Sequence, residues 1–563
     1  MTTSVQIINA LLSHILKTED DLSRAKRKLA RDFGVGMLAN NKLRAMYRQA
    51  VDDGLIAPSP ELEKLLIKRP IRTLSGVAPI TLATKPFPCP GRCVYCPTDV
   101  RMPKSYLASQ PAAARALRLK FDPYKQVQSR LETLYANGHS PEKCDLRILG
   151  GTWSFYPKRY QSWFVREMYH GLNKFNPNSK LKTQNLKLRL KTHTLIAVQK
   201  QNETAEHRCI GMSIETRPDW ITMEEIRRFR KFGVTKVELG VQHLDRGVMD
   251  LIKRDHYKED VARATKLLKD AGFKVAYHIM PNLPGSTPEM DIAMCKELFE
   301  DESLRPDQLK IYPCVVLEKA ALFEWYKRGE YKTYDDETLA GVIAEIKRHV
   351  PPYVRIERVY RDVPSDDIVD GSKHINIREF VQKRMRERGW ECRCIRCREV
   401  RDLITNYKLL ITNNLPREKS NARRAELQLY VDTYSASEGT EYFISCESPN
   451  RKILYAFTRL RLPSSDTKNQ LTPLKNTAII RELHTYGQLV PIQKRPGLLY
   501  GNRSLHTQHK GLGKQLLLKA EGIAKEEGYD TMSVISGVGV RGYYQKRGYE
   551  LDEKWGYMVK KLT

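Results

Sequence analysis

Hydrophobic and polar positions alternate with three different rhythms along this chain. Over the first 75 residues, Ile7, Ile8, Leu11, Leu12 and Ile15 recur at helical spacing. Two basic stretches follow at 23–31 and 40–48, so the pattern predicts two or three short helices with cationic faces. From about residue 76 to residue 315, short apolar runs alternate with helical stretches six times. Strands are expected at 79–84, 146–149, 209–214, 236–241, 274–279 and 308–312. Such alternation implies a parallel sheet built by right-handed crossovers, and six repeats make a partial (β/α)6 barrel. From about residue 427 strands joined by turns take over, at 451–461 and 478–484. A helical run at 514–527 and a strand at 531–536 come next, the pattern of an α+β domain. The expected division is 1–75, a basic helical region; 76–315, the α/β barrel; 316–405, a linker; and 406–563, the last domain.

Charge sharpens this picture. Lys and Arg number 96 against 66 Asp and Glu, a formal charge of +30. So large an excess is an argument for a polyanionic partner, through counterion release. There is no apolar stretch of about 18 residues and no secretory start, so no membrane role and a cytoplasmic location are expected. Eleven cysteines in 563 residues are too sparse for a disulfide scaffold, and six of them fall in two tight clusters. That is cofactor or metal usage in a reducing compartment.

The first cluster, Cys89, Cys93 and Cys96 in CxxxCxxC spacing, sits where the first barrel strand ends. Three thiolates can hold three irons of a 4Fe-4S cluster and leave the fourth open to a small ligand. A zinc knuckle would want a fourth ligand close by, and none lies within the next forty residues. The other strands also end on unusual groups: Gly150-Gly151-Thr152, Glu215-Thr-Arg217-Pro-Asp219, Gln242-His243, and a stretch closing on Cys314. Chemistry in such barrels gathers at these ends. The cysteine spacing resembles that of the radical S-adenosylmethionine (SAM) enzymes, whose open iron chelates SAM. That resemblance implies that Gly150, Gly151 and Thr152 meet the methionine amino group. It further implies that Glu215, Arg217 and Gln242 hold the rest of SAM, Arg217 through its planar fork.

The second cluster, Cys392, Cys394 and Cys397, suits tetrahedral zinc, with Cys314 or His374 as fourth ligand. In the last domain, Gln508-His509-Lys510-Gly511-Leu512-Gly513 opens a helix and resembles the pyrophosphate loop of the GNAT acetyltransferases. It follows Glu482-Leu483-His484, a strand that could pair with the pantetheine arm of acetyl-CoA. Tyr543 or Tyr544 stands where many GNAT enzymes place an acid for the thiolate leaving group.

These motifs, with Val237-Glu-Leu-Gly-Val-Gln242 and Lys310-Ile-Tyr-Pro313, resemble the catalytic subunits of the Elongator family over nearly the whole chain. Two departures stand out. The spacing of Cys89 and Cys93 is compact where eukaryotic relatives carry an insertion, and Lys253-Arg-Asp-His256 lacks the glycine usually found before the histidine. The resemblance implies carboxymethylation of the tRNA wobble uridine at C5. A SAM-derived radical would abstract hydrogen from the acetyl methyl group of acetyl-CoA, the new carbon radical would add to C5, and thioester hydrolysis would follow. An electron donor is required, and the substrate is read in the anticodon region. Charge alone nominates Lys26, Arg27, Lys28 and Arg31 as tRNA contacts, with the basic run 180–191 as an alternative wall. A protein lysine acetyltransferase using only the last domain is the competing reading; it leaves the cysteine triad and the charge unexplained. Oligomeric state is not legible.

Overall fold

The computed structural model describes residues 3–68, 73, 75–176, 194–374, 376–400, 427–464, 471–487 and 511–562. Seven parallel strands form one curled sheet in sequence order: β1 (Ala78–Ala83), β2 (Lys143–Leu149), β3 (Arg208–Thr216), β4 (Lys236–Gln242), β5 (Lys274–Ile279), β6 (Gln308–Ile311) and β7 (Arg355–Arg358). The six expected strands are present, and β7 extends the sheet beyond them. Its sequence, Arg-Ile-Glu-Arg, offers only one apolar side chain, so no hydrophobic run announced it.

Each strand turns its aliphatic residues outward to the helices. Ile80, Leu82, Leu146, Ile214, Val237, Leu239, Val275 and Leu309 are fully buried in one continuous core. The alternate positions of the later strands point charge into the barrel: Lys236 and Glu238 on β4, His278 on β5, Lys310 on β6 and Glu357 on β7. The open edge at β1 is covered by side chains instead of another strand. Arg130 donates to the Pro79 carbonyl at 3.5 Å, Arg115 to that of Thr81 at 2.6 Å, and Gln126 bonds both the N–H and the C=O of Ala83 at 3.0 Å. Capping an edge in this way removes the unpaired groups that would otherwise recruit another strand.

A second seven-stranded sheet comprises β8 (Gln428–Ala436), β9 (Gly439–Glu447), β10 (Leu454–Leu462), β11 (Ala478–Thr485), β12 (Thr531–Val534), β13 (Glu550–Leu551) and β14 (Met558–Lys561). Its order is β13-β14-β12-β11-β10-β9-β8, antiparallel except between β11 and β12. These two strands pair from Ala478↔Met532 to Ile480↔Val534. Where that ladder stops, β11 bulges, with Arg481 as the extra residue between Ile480 and Glu482. The bulge aims Arg481 into the barrel base, where its fork binds Asp307 at 2.5 and 2.8 Å and Glu441 at 2.9 Å. Arg459 reaches the Tyr353 carbonyl at 2.8 Å, and Lys274 pairs with Glu482 at 3.2 Å. Gly537 lies so close to β3 that a Cβ there would come within 2.2 Å of the Ile210 oxygen. All these contacts meet the amino ends of the barrel strands, so the second sheet plugs the barrel floor and leaves the carboxyl ends open.

Four helices precede the barrel: Thr3–Leu12, Glu19–Asp32, Asn40–Asp52 and Pro60–Leu65. Ile8, Leu11, Leu22, Leu29, Leu43 and Tyr47 form their own small core. Ile15, expected on the first apolar stripe, is 81% exposed because the first helix stops at Leu12. Among the described residues no helix is long and apolar enough to cross a membrane.

Candidate active site at the barrel mouth

A cavity of about 320 Å³ occupies the carboxyl ends of the strands, lined by the three cysteines together with Gly151, Thr152, Glu215, Arg217 and Gln242. The cysteine loop is pinned by backbone bonds from Val94 to the Ile252 oxygen, 3.1 Å, and from Thr98 to the Lys319 oxygen, 2.8 Å. Cys93 is buried while Cys89 and Cys96 are half-buried, and burial pushes the Cys96 thiol up to about 11. Three thiols gathered on one loop at the edge of a cavity suit an iron–sulfur cluster, which takes them as thiolates.

The glycines beside the cysteines work by lacking side chains. A Cβ on Gly150 would fall 2.1 Å from Thr84 Oγ1, and Gly151 takes φ +71°. Gly150 lets the strand end close on Thr84, Gly151 brings bare backbone to the cavity wall, and Thr152 Oγ1 lies 3.7 Å from Cys89 Sγ. Glu215 accepts a hydrogen bond from Tyr106 at 2.6 Å. Gln242 adopts φ +70°, and its buried side-chain oxygen has no hydrogen-bond partner in the structure. An unsatisfied acceptor facing a cavity is what a donor-bearing ligand would complete. Arg217 is placed differently from the expectation of a free fork: it grips Asp219 at 2.9 Å through both oxygens and lies under Gly91, where a Cβ would meet Nη1 at 2.7 Å. The residues present fit a three-cysteine cluster with SAM beside it.

Beneath this floor, sequence reasoning missed a buried ion network. Glu238 bonds Lys236 and His278 at 2.9 Å each and also Lys310, while Glu357 takes the other side of Lys236 at 2.8 Å. Burial opposes the Glu238 charge, but Lys236, Lys310 and His278 outweigh it and hold the carboxyl well below its usual range. Glu215, Glu238 and His278 could together face a cation, yet Lys310 already supplies that charge. The signal was available: charges at every second position of otherwise apolar strands mark an occupied polar interior.

Beyond the end of the β11–β12 ladder the second sheet brings a separate group of residues together. Gly511, at φ +87°, caps the helix Leu512–Glu526. A Cβ on Gly513 would approach Tyr543 Oη to 2.8 Å and Leu483 Cδ2 to 3.9 Å, so those three residues converge. Tyr543 is half-buried beside Gly513 with Arg547 over its ring. Tyr544 is 6% exposed and packs edge-on against Tyr549, a core position. Glu482 and His484 turn to the barrel, His484 bonding the Ser75 oxygen at 3.0 Å. Leu512 is buried. Gln508, His509 and Lys510 lie outside the described residues, as does the run 180–191.

With this geometry, comparison with known proteins is decisive. The Radical SAM superfamily model matches residues 88–298, and the Radical_SAM C-terminal domain model matches 306–387. The tRNA uridine(34) acetyltransferase of Methanocaldococcus jannaschii is 41% identical over 92% of this chain and 90% of its own. Elongator complex protein 3 of Saccharomyces cerevisiae is 37% identical over 89% and 86%. The solved archaeal Elp3 of Methanocaldococcus infernus, lacking residues 1–46, superposes with TM-score 0.70 at 38% identity, covering 87% of this chain and all of that one. The chain belongs to the Elongator protein 3 family.

In this family member the second cysteine cluster is compact: the sulfurs of Cys392, Cys394 and Cys397 all lie within 4.8 Å of one another. Zinc–sulfur bonds of about 2.3 Å at tetrahedral angles put sulfurs about 3.8 Å apart, so the triad fits zinc. Neither expected fourth ligand joins it. Cys314 is buried in a different apolar cluster beside Tyr331, and His374 is exposed and paired with Asp336 at 3.1 Å. Of the nominated tRNA contacts, Arg27, Lys28 and Arg31 are exposed along one wall of a groove of about 750 Å³. Lys26 is half-buried and bonds Asn40 at 3.0 Å.

Proposed function

We propose that this protein modifies the wobble uridine of tRNA by radical SAM chemistry, and that the product is a C5-carboxymethyl group taken from acetyl-CoA. The observation that carries the reading is the barrel-mouth cavity, where Cys89, Cys93 and Cys96 share one wall with Gly151, Glu215 and Gln242. A reduced cluster and SAM bound there would supply a hydrogen-abstracting carbon radical. The chain's own part is to hold the reactants and exclude water. Gly150, Gly151 and Thr152 present backbone to the methionine end, and Glu215, backed by Tyr106, faces the ribose side. Arg217, held by Asp219, packs under Gly91 and so stiffens the cysteine loop. The convergence of Leu483, Gly513 and Tyr543 marks the proposed acetyl-CoA site, with Gln508, His509, Lys510 and Gly511 as its pyrophosphate loop and Tyr543 as the better-placed of the two tyrosines to meet the leaving thiolate. The zinc triad braces the segment joining barrel to second sheet, and the 1–75 helices meet tRNA phosphates. An unpaired base read from a loop suits so cationic a protein.

Anaerobic incubation with SAM, acetyl-CoA, tRNA and a reductant, followed by nucleoside mass analysis, tests the reading. Cys93→Ser should abolish uridine modification and keep acetyl-CoA binding. Equal modification by both proteins would sink the radical assignment, and transfer of acetyl to lysine without tRNA would favour the protein acetyltransferase reading.

A further inference from the structure

Arg254 is 8% exposed, and its guanidinium points at the cysteine loop. Nη1 donates to Cys93 Sγ at 3.4 Å and Nη2 to the Gly240 oxygen at 2.7 Å. The arrangement is built from both sides. On β4, Gly240 leaves room that a Cβ would occupy, 2.5 Å from Nη2. On the loop, Lys253 and Asp255 both take φ near +55°, at 57° and 55°, and this double left-handed turn swings Arg254 inward. Asp tolerates that region better than most residues, which lets Asp255 hold the turn without a glycine. The same turn receives the Arg217 fork on the Asp255 oxygen at 3.3 Å, and Ile252 accepts from the Val94 N–H. Residues 252–256 therefore buttress the cysteine loop, and Arg254 brings a full charge within 3.4 Å of a ligand sulfur.

We propose that Arg254 is a positioning residue that sets the reduction potential of the cluster by holding a buried guanidinium on Cys93. The proposal rests on the radical SAM reading. One-electron reduction by an external low-potential donor adds one negative charge to the cluster. A fixed cation with a hydrogen bond to a ligand sulfur stabilises that form more than the oxidised one. In a pocket of low dielectric this difference is screened little. Arg254 thus makes the cluster easier to charge, a role that none of the cysteines can supply.

The test uses the full chain, reconstituted anaerobically with iron and sulfide, as wild type, Arg254→Gln, Arg254→Lys and Gly240→Ala. Iron per chain is measured first, and the reduced-cluster signal is then followed by electron paramagnetic resonance through a mediated redox titration. With iron unchanged, Arg254→Gln should lower the ratio of reduced to oxidised cluster at a fixed poise about tenfold, a midpoint about 59 mV more negative. Arg254→Lys should recover most of the shift. Gly240→Ala should move the same way as Gln, because its methyl displaces the guanidinium without removing it. A Gln midpoint equal to wild type at full iron content would overturn the proposal, as would equal loss of iron in Gln and Lys, the mark of a packing role. A wild type that takes up no cluster would overturn the parent reading instead.

Discussion

The ion network beneath the active site is the sharpest place to test how this barrel is held together, and Glu238→Gln is the perturbation. Glu238 is 2% exposed and offers its carboxylate to Lys236, His278 and Lys310. Glutamine keeps the shape and one acceptor but removes the charge, leaving two buried ammonium groups with Glu357, 2.8 Å from Lys236 but 3.8 Å from Lys310, and with Glu215, 3.9 Å from Lys310. Breaking a buried pair by removing one partner costs about 3–5 kcal/mol, against a total stability of about 5–15 kcal/mol. For a folding unit of the barrel's size this is a fall in Tm of roughly 10 °C. Lys310→Met should cost less, since Glu238 keeps Lys236 and His278. The double variant should be less destabilised than the sum, because Lys310 is the group the first change strands. The pH dependence has a definite sign. The folded carboxyl is depressed, so its contribution is present above the unfolded value of about 4.3 and is lost as pH falls from there toward the folded pKa. Glu238→Gln should flatten the acid limb of the stability curve. Thermal unfolding between pH 3 and 8 decides it; a loss under about 1 kcal/mol, or an unchanged acid limb, would refute the argument that charge pairing dominates this floor.

Replacing Cys394 and Cys397 together with Ser should lower zinc content and leave iron unchanged, since metal binding supplies folding free energy to that segment alone; loss of iron with zinc intact would reverse the two assignments. Reversing Lys26, Arg27, Lys28 and Arg31 to Glu should weaken tRNA binding and flatten the salt dependence of log K, with acetyl-CoA affinity unaltered. An unchanged slope would make these helices a solvated face. Gly513→Ala should weaken acetyl-CoA binding at least tenfold while the fold stays intact, because the methyl would crowd Tyr543 Oη at 2.8 Å at the proposed site; calorimetric titration with acetyl-CoA reads it directly.

What the sequence made legible follows from which physical signals are local. Cys89, Cys93 and Cys96 stand close in sequence because one loop must wrap one cluster, and Gly150-Gly151 and Gly511-Leu-Gly513 are local because backbone approach is set within a few residues. The six apolar strands were visible for the same reason: Val237, Leu239 and Val241 face one helix layer and read as a run. The alternating charges on β4 were a local signal of a polar interior, but β7 and its part in the network were not visible, since Glu357 acquires meaning only when the chain brings it back to Lys236, a partner 121 positions earlier. Arg254 was quoted within a motif but given no role, because nothing in Lys-Arg-Asp-His states that Cys93 lies 161 residues away and 3.4 Å distant. The fourth zinc ligand fails in the opposite direction: Cys314 had the right chemistry and an adjacent strand end, yet β6 delivers it into an apolar cluster with Val316 and Leu322. The docking of the second sheet adds a constraint that neither set of motifs contains. On the proposed assignment acetyl-CoA sits on the second sheet, which meets the amino ends of the barrel strands, while the cysteines stand at the carboxyl ends, so the two proposed sites lie at opposite ends of the barrel. Any coupling between them must therefore pass the charged interior or go around it, and the Glu238 and Lys310 variants that measure stability would also report, through product yield, which of the two it is.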